Sequence, residues 1–315
     1  RDVAENPHGE FHFEMGRALA ERLGYRPSDL DRVPAEAIDS FARLIELEPD
    51  REYALGKLHR CHLRVCKWEA LAHDADAMIA AVRRSENAVT PFVLLATTDS
   101  ARDQQQCART YIVDRYPASP TPMWIARRRA HEKIRIAYLS ADLREPALSY
   151  LMAGLFEMHD RGRFETVAIS LSPRYNNEMS ERVRAAFGQF VEAFDMSNRA
   201  VAELILELNV DIAVDLMGFT QHSRTAILSH RPAPIQVNYL GFPGTMGAEY
   251  IDYIIADDFV IPRETQRWYT EKVIYLPGAF QVNDERRKKP GKVPTRSEAG
   301  LPKSGFVFCS FNGHY

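Results

Sequence analysis

The sequence predicts an α/β protein in which a helical N-terminal region precedes a parallel sheet covered by helices on both faces. Three observations predict this class. In the first third of the chain, apolar residues recur at helical intervals, as at Ala37, Phe41, Leu44 and Ile45. From Ile134 onward the pattern changes to short, nearly continuous apolar runs. Helical segments separate these runs, and this alternation is typical of parallel strands joined by crossover helices, as in a Rossmann-like layer.

The helical N-terminal region contains one segment with the pattern of a known repeat. Ala37, Phe41 and Leu44 follow the spacing of the second helix of a tetratricopeptide repeat. Extra residues before this helix interrupt the usual period, so an unrelated helical hairpin remains the alternative. We assign residues 1–50 to a tetratricopeptide-like repeat and residues 51–132 to a helical connector.

A boundary between the two regions is predicted where prolines end the helical pattern. Pro117, Pro120 and Pro122 are followed by a basic run, Arg127–Lys133, that leads into the first strand. The basic run is interpreted as a solvated connector. Phosphate binding or targeting is its alternative role.

The α/β region is assigned to residues 133–285. Its predicted strands are the runs IRIAYLS, ETVAISLS, VDIAVDLM, PIQVNYL, YIDYIIAD and KVIYLPG. Helices are predicted between them at Leu151–His159, Glu181–Phe194 and Ala200–Leu208. The strands after Pro234 follow one another more closely, which predicts an edge or a differently wound part of the sheet.

The C-terminal part of the chain is polar, and it predicts a linker at residues 286–304. Residues 305–315 begin with the apolar run GFVFCSF, which predicts one further strand. A single strand cannot form a domain. We therefore interpret it as the first strand of a second α/β unit that has been cut away.

Composition and charge exclude some classes of partner. The chain has 315 residues, 45% of them hydrophobic, and can form about two domains with buried cores. Its net charge of −3 provides no strong field for nucleic acid or an anionic membrane. No apolar run approaches the ~18 residues of a membrane span, and no leader pattern opens the chain. We expect neither nucleic acid nor membrane as a partner.

The cysteines lack the paired spacing of zinc sites and redox motifs. They are Cys61, Cys66, Cys107 and Cys309. We predict that all are reduced core residues and that the sequence encodes no metal site. Free thiols fit a reducing compartment, so the predicted location is cytoplasmic.

Two strand-like runs between Asp215 and Gly247 each end in a small polar loop that contains glycine. A strand that stops at Gly218 or Gly241 lets the backbone approach a ligand closely, because glycine carries no Cβ. Open α/β sheets place their ligands at such strand ends. A plain tight turn is the alternative interpretation.

Three segments carry a resemblance to a known family. They are IRIAYLSAD at 134–142, DLMGFTQHSR at 215–224 and HRPAPIQVNYLGFPGTMGAEYIDYIIAD at 230–257. With them the chain resembles the O-linked N-acetylglucosamine transferase family, including its SPINDLY-like branch and bacterial homologues with tetratricopeptide repeats. FVFCSFNGHY at 306–315 is similar to the opening of that family's second catalytic lobe.

The resemblance implies a GT-B glycosyltransferase, in which two Rossmann-like lobes face a cleft and helical repeats present protein acceptors. Members transfer a sugar from a nucleotide donor to Ser or Thr hydroxyls, with inversion and without a required metal. UDP-N-acetylglucosamine is the expected donor, and no other cofactor is expected. Because the family's second lobe holds the nucleotide, we expect this chain alone to be inactive. A fucosyltransferase using GDP-fucose and a non-catalytic protein-binding module are the alternatives.

The resemblance also assigns candidate catalytic residues. Asp142 aligns with an Asp of the family, where it could act as a base or position one, with capping of the next helix as its alternative role. Pro146 stands where members usually carry a histidine that points into the active site. Proline has no titratable group, which leaves Glu145 as the only nearby replacement base. Pro146 thus predicts a weakened or inactive enzyme, or a substitution introduced on purpose.

Substrate contacts are predicted in two loops. One is the sugar-side loop, Gly241, Phe242, Pro243, Gly244 and Thr245; the other contains Thr220, His222 and Arg224. Arg224 is predicted to be structural, pairing across the interface between lobes, and a plain surface position is the alternative for His222. Phe92 stands where animal members have another histidine, and its ring suits packing.

Overall fold

The computed structural model describes residues 14–15, 35–125, 131–144, 147–286 and 291–309. Most of the predicted repeat, the centre of the basic run, Glu145 with Pro146, and residues 310–315 lie outside these ranges. No helix within the ranges combines the length and apolar character needed to cross a bilayer.

The helices of the N-terminal region follow one another closely. They are α1 (Ala35–Leu47), α2 (Ala54–Arg64), α3 (Trp68–Arg83), α4 (Pro91–Leu95) and α5 (Ala101–Arg115). Helix α1 buries Ala37, Phe41 and Leu44 completely, and these residues form a small core with Cys61 of α2. The apolar face that the spacing predicts is therefore the packed face. The tetratricopeptide assignment stays a prediction.

The α/β region alternates strands with helices. Its elements are β1 (Ile134–Ser140), α6 (Ala147–Glu157), β2 (Phe164–Ser170), α7 (Glu178–Ala186), β3 (Gln189–Glu192), α8 (Asn198–Glu207), β4 (Ile212–Asp215), α9 (Ala226–Ser229), β5 (Ile235–Tyr239), β6 (Tyr253–Ala256) and β7 (Lys272–Tyr275). A short 3₁₀ helix, Gln266–Trp268, precedes β7.

The helix predicted at Glu181–Phe194 is wrong in its second half, where β3 lies instead. Phe187 has an extended backbone and ends α7. The next residue, Gly188, donates its backbone N–H to the carbonyl of Thr166 on β2 at 3.1 Å. Pairing with β2 therefore begins at once, and the chain has no room to continue as a helix.

The strands form one sheet of seven parallel strands in the order β3-β2-β1-β4-β5-β6-β7. Ser140 of β1 lies beside Ser170 of β2, and Leu139 of β1 lies beside Asp215 of β4. β2 and β3 are added in turn on one side of β1. The chain then crosses to the other side of β1, where it forms β4. The strand order thus reverses between β1 and β4, which creates a crevice at their carboxyl ends. The predicted α/β class is confirmed, and the closely spaced later strands continue the same parallel sheet.

Apolar residues cover both faces of the sheet. One core joins Leu139 of β1 to Ala108 and Ile112 of α5. The core on the opposite face joins Tyr138 of β1 to Phe156 of α6. Because α5 contributes to a sheet core, the helical connector and the α/β region pack as one body around it, although prolines separate them in sequence.

The segment after β7 is anchored to the α/β region. The guanidinium of Arg182 pairs with Asp284 at 2.6 Å and with Glu157 at 2.8 Å. The backbone N–H of Phe280 is donated to the carboxylate of Asp257 at 2.7 Å. The polar stretch beyond Phe280 therefore belongs to the α/β region as far as Asp284.

The last described segment, residues 291–309, contains neither helix nor strand. Phe306 and Phe308 are 85% and 89% exposed. The strand predicted from Gly305 is not formed over residues 305–309, because a strand requires a neighbour to satisfy its backbone hydrogen bonds.

Two of the predicted core cysteines are buried and two are not. Cys61 and Cys107 are buried, whereas Cys66 and Cys309 are exposed. Cys66 follows the end of α2 with a left-handed backbone, φ 54°, and Cys309 lies in the exposed C-terminal segment. The prediction of a core position is wrong for these two residues, because both lie outside helices and strands.

Candidate functional site

The candidate site lies at the carboxyl ends of β1, β4 and β5. The segments that follow β1 and β4 are in direct contact. The backbone N–H of Leu216 donates a hydrogen bond to the carbonyl of Leu139 at 3.1 Å. The hydroxyl of Ser140 donates one to the sulfur of Met217, also at 3.1 Å. Side chains placed on these segments therefore share the crevice where the strand order reverses.

Asp142 lies two residues beyond β1 and is half-buried. Its backbone is fixed, since its N–H is donated to the Ser140 hydroxyl at 2.9 Å and its carbonyl accepts from the Ser149 hydroxyl at 2.7 Å. Its carboxylate forms no hydrogen bond with the residues that the structure describes. Burial raises the pKa of Asp142, and the charges of Arg144 and His222 oppose this rise. The backbone that carries this carboxylate is therefore fixed, and the carboxylate oxygens have no hydrogen-bond partner among the described residues.

Glu145 and Pro146 lie outside the described residues. Their predicted roles, a replacement base and the loss of the family histidine, stay predictions.

His222 lies in the segment after β4. It is exposed and has a left-handed backbone, φ 64°, which is uncommon for a residue with a Cβ. Its influence on the pKa of Asp142 places the two side chains in the same electrostatic neighbourhood. Thr220, predicted in the same loop, donates its hydroxyl to the carbonyl of Met217 at 2.9 Å and so stabilises the turn.

The guanidinium of Arg224 is hydrogen-bonded within the α/β region. Its guanidinium donates to the side chain of Asn198 at 2.7 Å and to the carbonyls of Ala193 and Met196 at 3.0 and 2.5 Å. Ala193 and Met196 lie in the segment between β3 and α8, and Asn198 is the first residue of α8. Arg224 therefore fixes that segment within the α/β region, and its predicted pairing across an interface between lobes stays a prediction.

Two glycines allow the loops after β4 and β5 to pass one another. A Cβ added to Gly241 would lie 2.1 Å from the carbonyl oxygen of Leu216, and one added to Gly218 would lie 2.4 Å from the Cβ of Phe242. Gly218 also has a left-handed backbone, φ 57°. Only glycine fits these positions without a shift of the backbone. The two loops that the sequence predicted are thus packed directly against each other.

Aromatic rings pack against Phe242 of the sugar-side loop. Phe242 is buried, and its ring packs edge to face on Phe219 with 5.1 Å between centroids. Phe92, at the start of α4, lies on its other side with 6.4 Å between centroids. The packing role predicted for Phe92 agrees with this contact. It also shows that the helical region contributes directly to the support of the candidate site.

Hydrogen bonds hold the end of the same loop. The carboxylate of Glu271 accepts from the hydroxyl of Thr245 at 2.7 Å and from the backbone N–H of Met246 at 2.6 Å. The hydroxyl of Tyr269 is donated to the carbonyl of Pro243 at 3.1 Å. Burial raises the pKa of Glu271, against the effect of these hydrogen bonds. We call Tyr269, Thr270 and Glu271 the loop clamp.

The predicted substrate residues therefore divide into two groups. Asp142 and His222 lie near each other at the crevice. The side chains of Phe242 and Thr245 are buried and bonded within the α/β region, so substrate binding by this loop stays a prediction for its backbone.

Sequence reasoning missed two buried carboxylates. One is Glu271 in the loop clamp. The other is Asp215 at the end of β4, which accepts the backbone N–H groups of Met217 and Gly218 at 2.9 and 3.2 Å. Burial raises the pKa of Asp215 to about 6, despite these two hydrogen bonds. An Asp directly after an apolar strand was the available signal for Asp215, whereas Glu271 had none. Within the described ranges, no three His, Cys, Asp or Glu side chains converge as a metal site.

Comparisons with known proteins place the chain among glycosyltransferases. Residues 110–291 match the family described as Glycosyl transferase family 41. A protein of Arabidopsis thaliana, named as a probable UDP-N-acetylglucosamine–peptide N-acetylglucosaminyltransferase SEC, is 34% identical over 80% of this chain and 28% of its own length. The corresponding transferase of Caenorhabditis elegans is 34% identical over 49% of this chain and 13% of its own length.

One solved structure is also among the matches to this chain. An O-GlcNAc transferase mutant of Thermobaculum terrenum matches with a TM-score of 0.49 and 20% sequence identity, over 89% of this chain and 59% of that one. The present chain spans less than a third of the length of the Arabidopsis relative.

Proposed function

This chain belongs to glycosyl transferase family 41, and we propose that the protein containing it transfers N-acetylglucosamine from UDP-N-acetylglucosamine to Ser and Thr hydroxyls of acceptor proteins. The resemblance found in the sequence is confirmed by this family. One observation carries the proposal: the match at residues 110–291 includes all strands of the described sheet and the loops at its carboxyl edge. The names of the Arabidopsis and Caenorhabditis relatives support the same donor and a peptide acceptor.

The proposed reaction is a displacement at the anomeric carbon of the sugar. The acceptor oxygen forms a bond to that carbon while the bond from the carbon to the diphosphate oxygen breaks. The configuration inverts, and the nucleoside diphosphate leaves with the electron pair. The proton of the acceptor hydroxyl must pass to a base, and general base assistance typically accelerates such a step by about 10²–10⁴.

Asp142 is the base that the described residues support best. Its carboxylate is fixed through its backbone, makes no hydrogen bond with the described chain, and lies at the crevice between β1 and β4. Burial raises its pKa, which increases its affinity for a proton. His222 shares this neighbourhood, so it either orients the acceptor or stabilises the charge of the carboxylate.

The remaining parts of the reaction are proposed to lie elsewhere in the protein. We propose that a second lobe of a GT-B pair binds the nucleotide and neutralises the leaving diphosphate. We further propose that the helical region presents acceptor proteins, that catalysis uses no metal or cofactor besides the donor, and that the protein works in the cytoplasm.

Transfer assays with the complete protein test this function. Labelled UDP-N-acetylglucosamine and labelled GDP-fucose are offered with mixed Ser/Thr peptides to the wild type and to the Pro146→His variant. Transfer of N-acetylglucosamine by the wild type would support the proposal and show that the family histidine is dispensable. Transfer only by the variant would show that the wild type has lost its activity because it lacks the histidine. Transfer of fucose alone would overturn the donor, and no transfer by either protein would favour a non-catalytic binding module.

A further inference from the structure

Arg144 occupies an unusual position at the carboxyl edge of the sheet. It lies in the segment after β1, two residues beyond Asp142. Its guanidinium stacks on the ring of Tyr175, with 5.1 Å between the guanidinium carbon and the ring centroid. Tyr175 belongs to the segment after β2, so this contact bridges the loops of two adjacent strands. The pair therefore lies at the same edge as the candidate base.

Within the described residues, the buried Nε atom of Arg144 has no acceptor. No carboxylate of the described chain pairs with the guanidinium. Arg182 and Arg224, by contrast, each donate to several carboxylates or carbonyls. A guanidinium has five N–H donors and stays charged in proteins. Burying such a donor without an acceptor is unfavourable, so the position of Arg144 calls for an acceptor from outside the described chain.

A second unpaired donor lies on the neighbouring strand end. Ser172 is 4% exposed, and its hydroxyl has no hydrogen-bond partner. It follows β2 by two residues, as Asp142 follows β1 by two residues, and the strands pair Ser170 with Ser140. The register therefore places Ser172 beside the start of the segment that carries Arg144.

We propose that Arg144, Tyr175 and Ser172 form a subsite for an oxyanion, and that its occupant is a side-chain carboxylate of the acceptor peptide. A guanidinium binds a carboxylate through two parallel hydrogen bonds, and the serine hydroxyl supplies a further donor. The ring of Tyr175 holds the plane of the guanidinium by stacking.

The local charge favours a carboxylate over a phosphate. Asp142 is close enough to Arg144 for the arginine's charge to lower its pKa, so one negative charge is already nearby. A second, singly charged carboxylate is repelled less by Asp142 than a doubly charged phosphate would be. The existence of the subsite stands on its own geometry, whereas the peptide as the source of the carboxylate rests on the proposed function.

Paired acceptor peptides test the specificity. The complete protein is assayed with a Ser/Thr peptide that carries Asp or Glu near the acceptor residue, and with the same peptide carrying Asn or Gln instead. We expect kcat/KM to be about tenfold higher for the acidic peptide in the wild type, and the ratio to fall near one in Arg144→Met. Arg144→Lys keeps the positive charge but cannot donate two parallel hydrogen bonds, so it should give an intermediate ratio.

Arg199→Met is the matched control, because Arg199 is exposed on α8 and, among the described residues, forms its ion pair with Glu203 along the same helix. It should retain the wild-type ratio. An equal ratio in the wild type and Arg144→Met would overturn the specificity.

A binding measurement separates this proposal from the proposed function. The melting temperature of the complete protein is measured with N-acetyl-aspartic acid α-methylamide, with its asparagine analogue, and with inorganic phosphate, all at equal ionic strength. A ligand that binds only the folded protein raises the melting temperature. We expect the aspartate compound to raise it in the wild type and in Arg199→Met, but not in Arg144→Met.

Each other outcome has a definite meaning. A larger rise with phosphate would overturn the carboxylate as occupant. No rise with either anion would overturn the subsite. A rise with the aspartate compound, in a protein that glycosylates no peptide, would support the subsite and contradict the proposed transfer.

Discussion

Glu271 and Thr245 are 26 residues apart in sequence, and the hydroxyl of Thr245 is donated to the carboxylate of Glu271 at 2.7 Å. The Thr245 oxygen itself accepts the backbone N–H groups of Gly247 and Thr270, at 3.2 and 3.1 Å. The other oxygen of Glu271 accepts the N–H of Met246 at 2.6 Å. One buried carboxylate thus fixes the end of the sugar-side loop.

The substitution Glu271→Gln should destabilise the protein. The hydroxyl oxygen of Thr245 already accepts two backbone N–H groups, so the hydroxyl hydrogen must be donated to another group. The backbone N–H of Met246 also requires an acceptor, and Glu271 serves both donors. Glutamine offers one oxygen for these two donors. Because buried hydrogen bonds to charged groups contribute about 1.5–3 kcal/mol, we expect the free energy of unfolding in urea to fall by about 2 kcal/mol. The exposed Glu264→Gln is the control, expected within about 0.5 kcal/mol of the wild type. Equal values for the two variants would contradict the role of the clamp.

Asp215 should give the stability of the protein a characteristic pH dependence. Burial raises its pKa in the folded protein to about 6, from an ordinary value of 3.8. The folded state therefore binds this proton more tightly than the unfolded chain. The stabilising contribution is full below about pH 4 and is lost as the pH rises through 6, a change of about 3 kcal/mol.

The substitution Asp215→Asn removes this titration and tests it. Between pH 4 and pH 7, the unfolding free energy of the wild type should fall relative to that of the variant by about 2 kcal/mol, since the unfolded carboxyl is already partly ionised at pH 4. Urea unfolding of both proteins at the two pH values measures the difference. Parallel pH profiles would show that Asp215 does not titrate in this range.

The sheet could be predicted where its strands are buried on both faces. β1 and β4 are nearly continuous apolar runs, as central parallel strands require. β3 was missed because it is a short edge strand, Gln189–Glu192, with exposed residues at both ends. Its sequence lacks the apolar run that marks a central strand, and pairing with β2 decides its conformation.

The candidate loops could be predicted, but their supports could not. Gly218 and Gly241, which follow β4 and β5, indicated the two loops in the sequence. Nothing local in the sequence shows that Glu271 reaches Thr245, or that Arg224 turns toward the segment before α8. Such contacts join residues distant in sequence, and only the packing of the whole sheet brings them together. Arg144 escaped notice for the same reason, since Tyr175 and Ser172 approach it from the next strand.

Replacing Gly241 by alanine should distort the crossing of the two loops. The added Cβ would lie 2.1 Å from the carbonyl oxygen of Leu216, which is backbone and cannot move without disturbing β4. Overpacking of this kind costs about 1–3 kcal/mol, so the urea midpoint and the transfer activity should both fall. Gly291→Ala is the control, because nothing lies within 4 Å of its added Cβ. A Gly241→Ala protein as stable as this control would mean that the loops separate easily.

Asp142→Asn tests the proposed base directly. Asparagine matches the size of the side chain but cannot accept the acceptor's proton, so kcat/KM should fall by about 10²–10⁴. The exposed Asp195→Asn is the control and should keep wild-type activity. Only the ionised form of Asp142 accepts a proton, and burial raises its pKa. The kcat/KM of the wild type should therefore rise with pH through that raised pKa, and this rising limb should be absent from Asp142→Asn. A variant that retains both the rate and the rising limb would place the base on another residue, and His222 would be the next to replace.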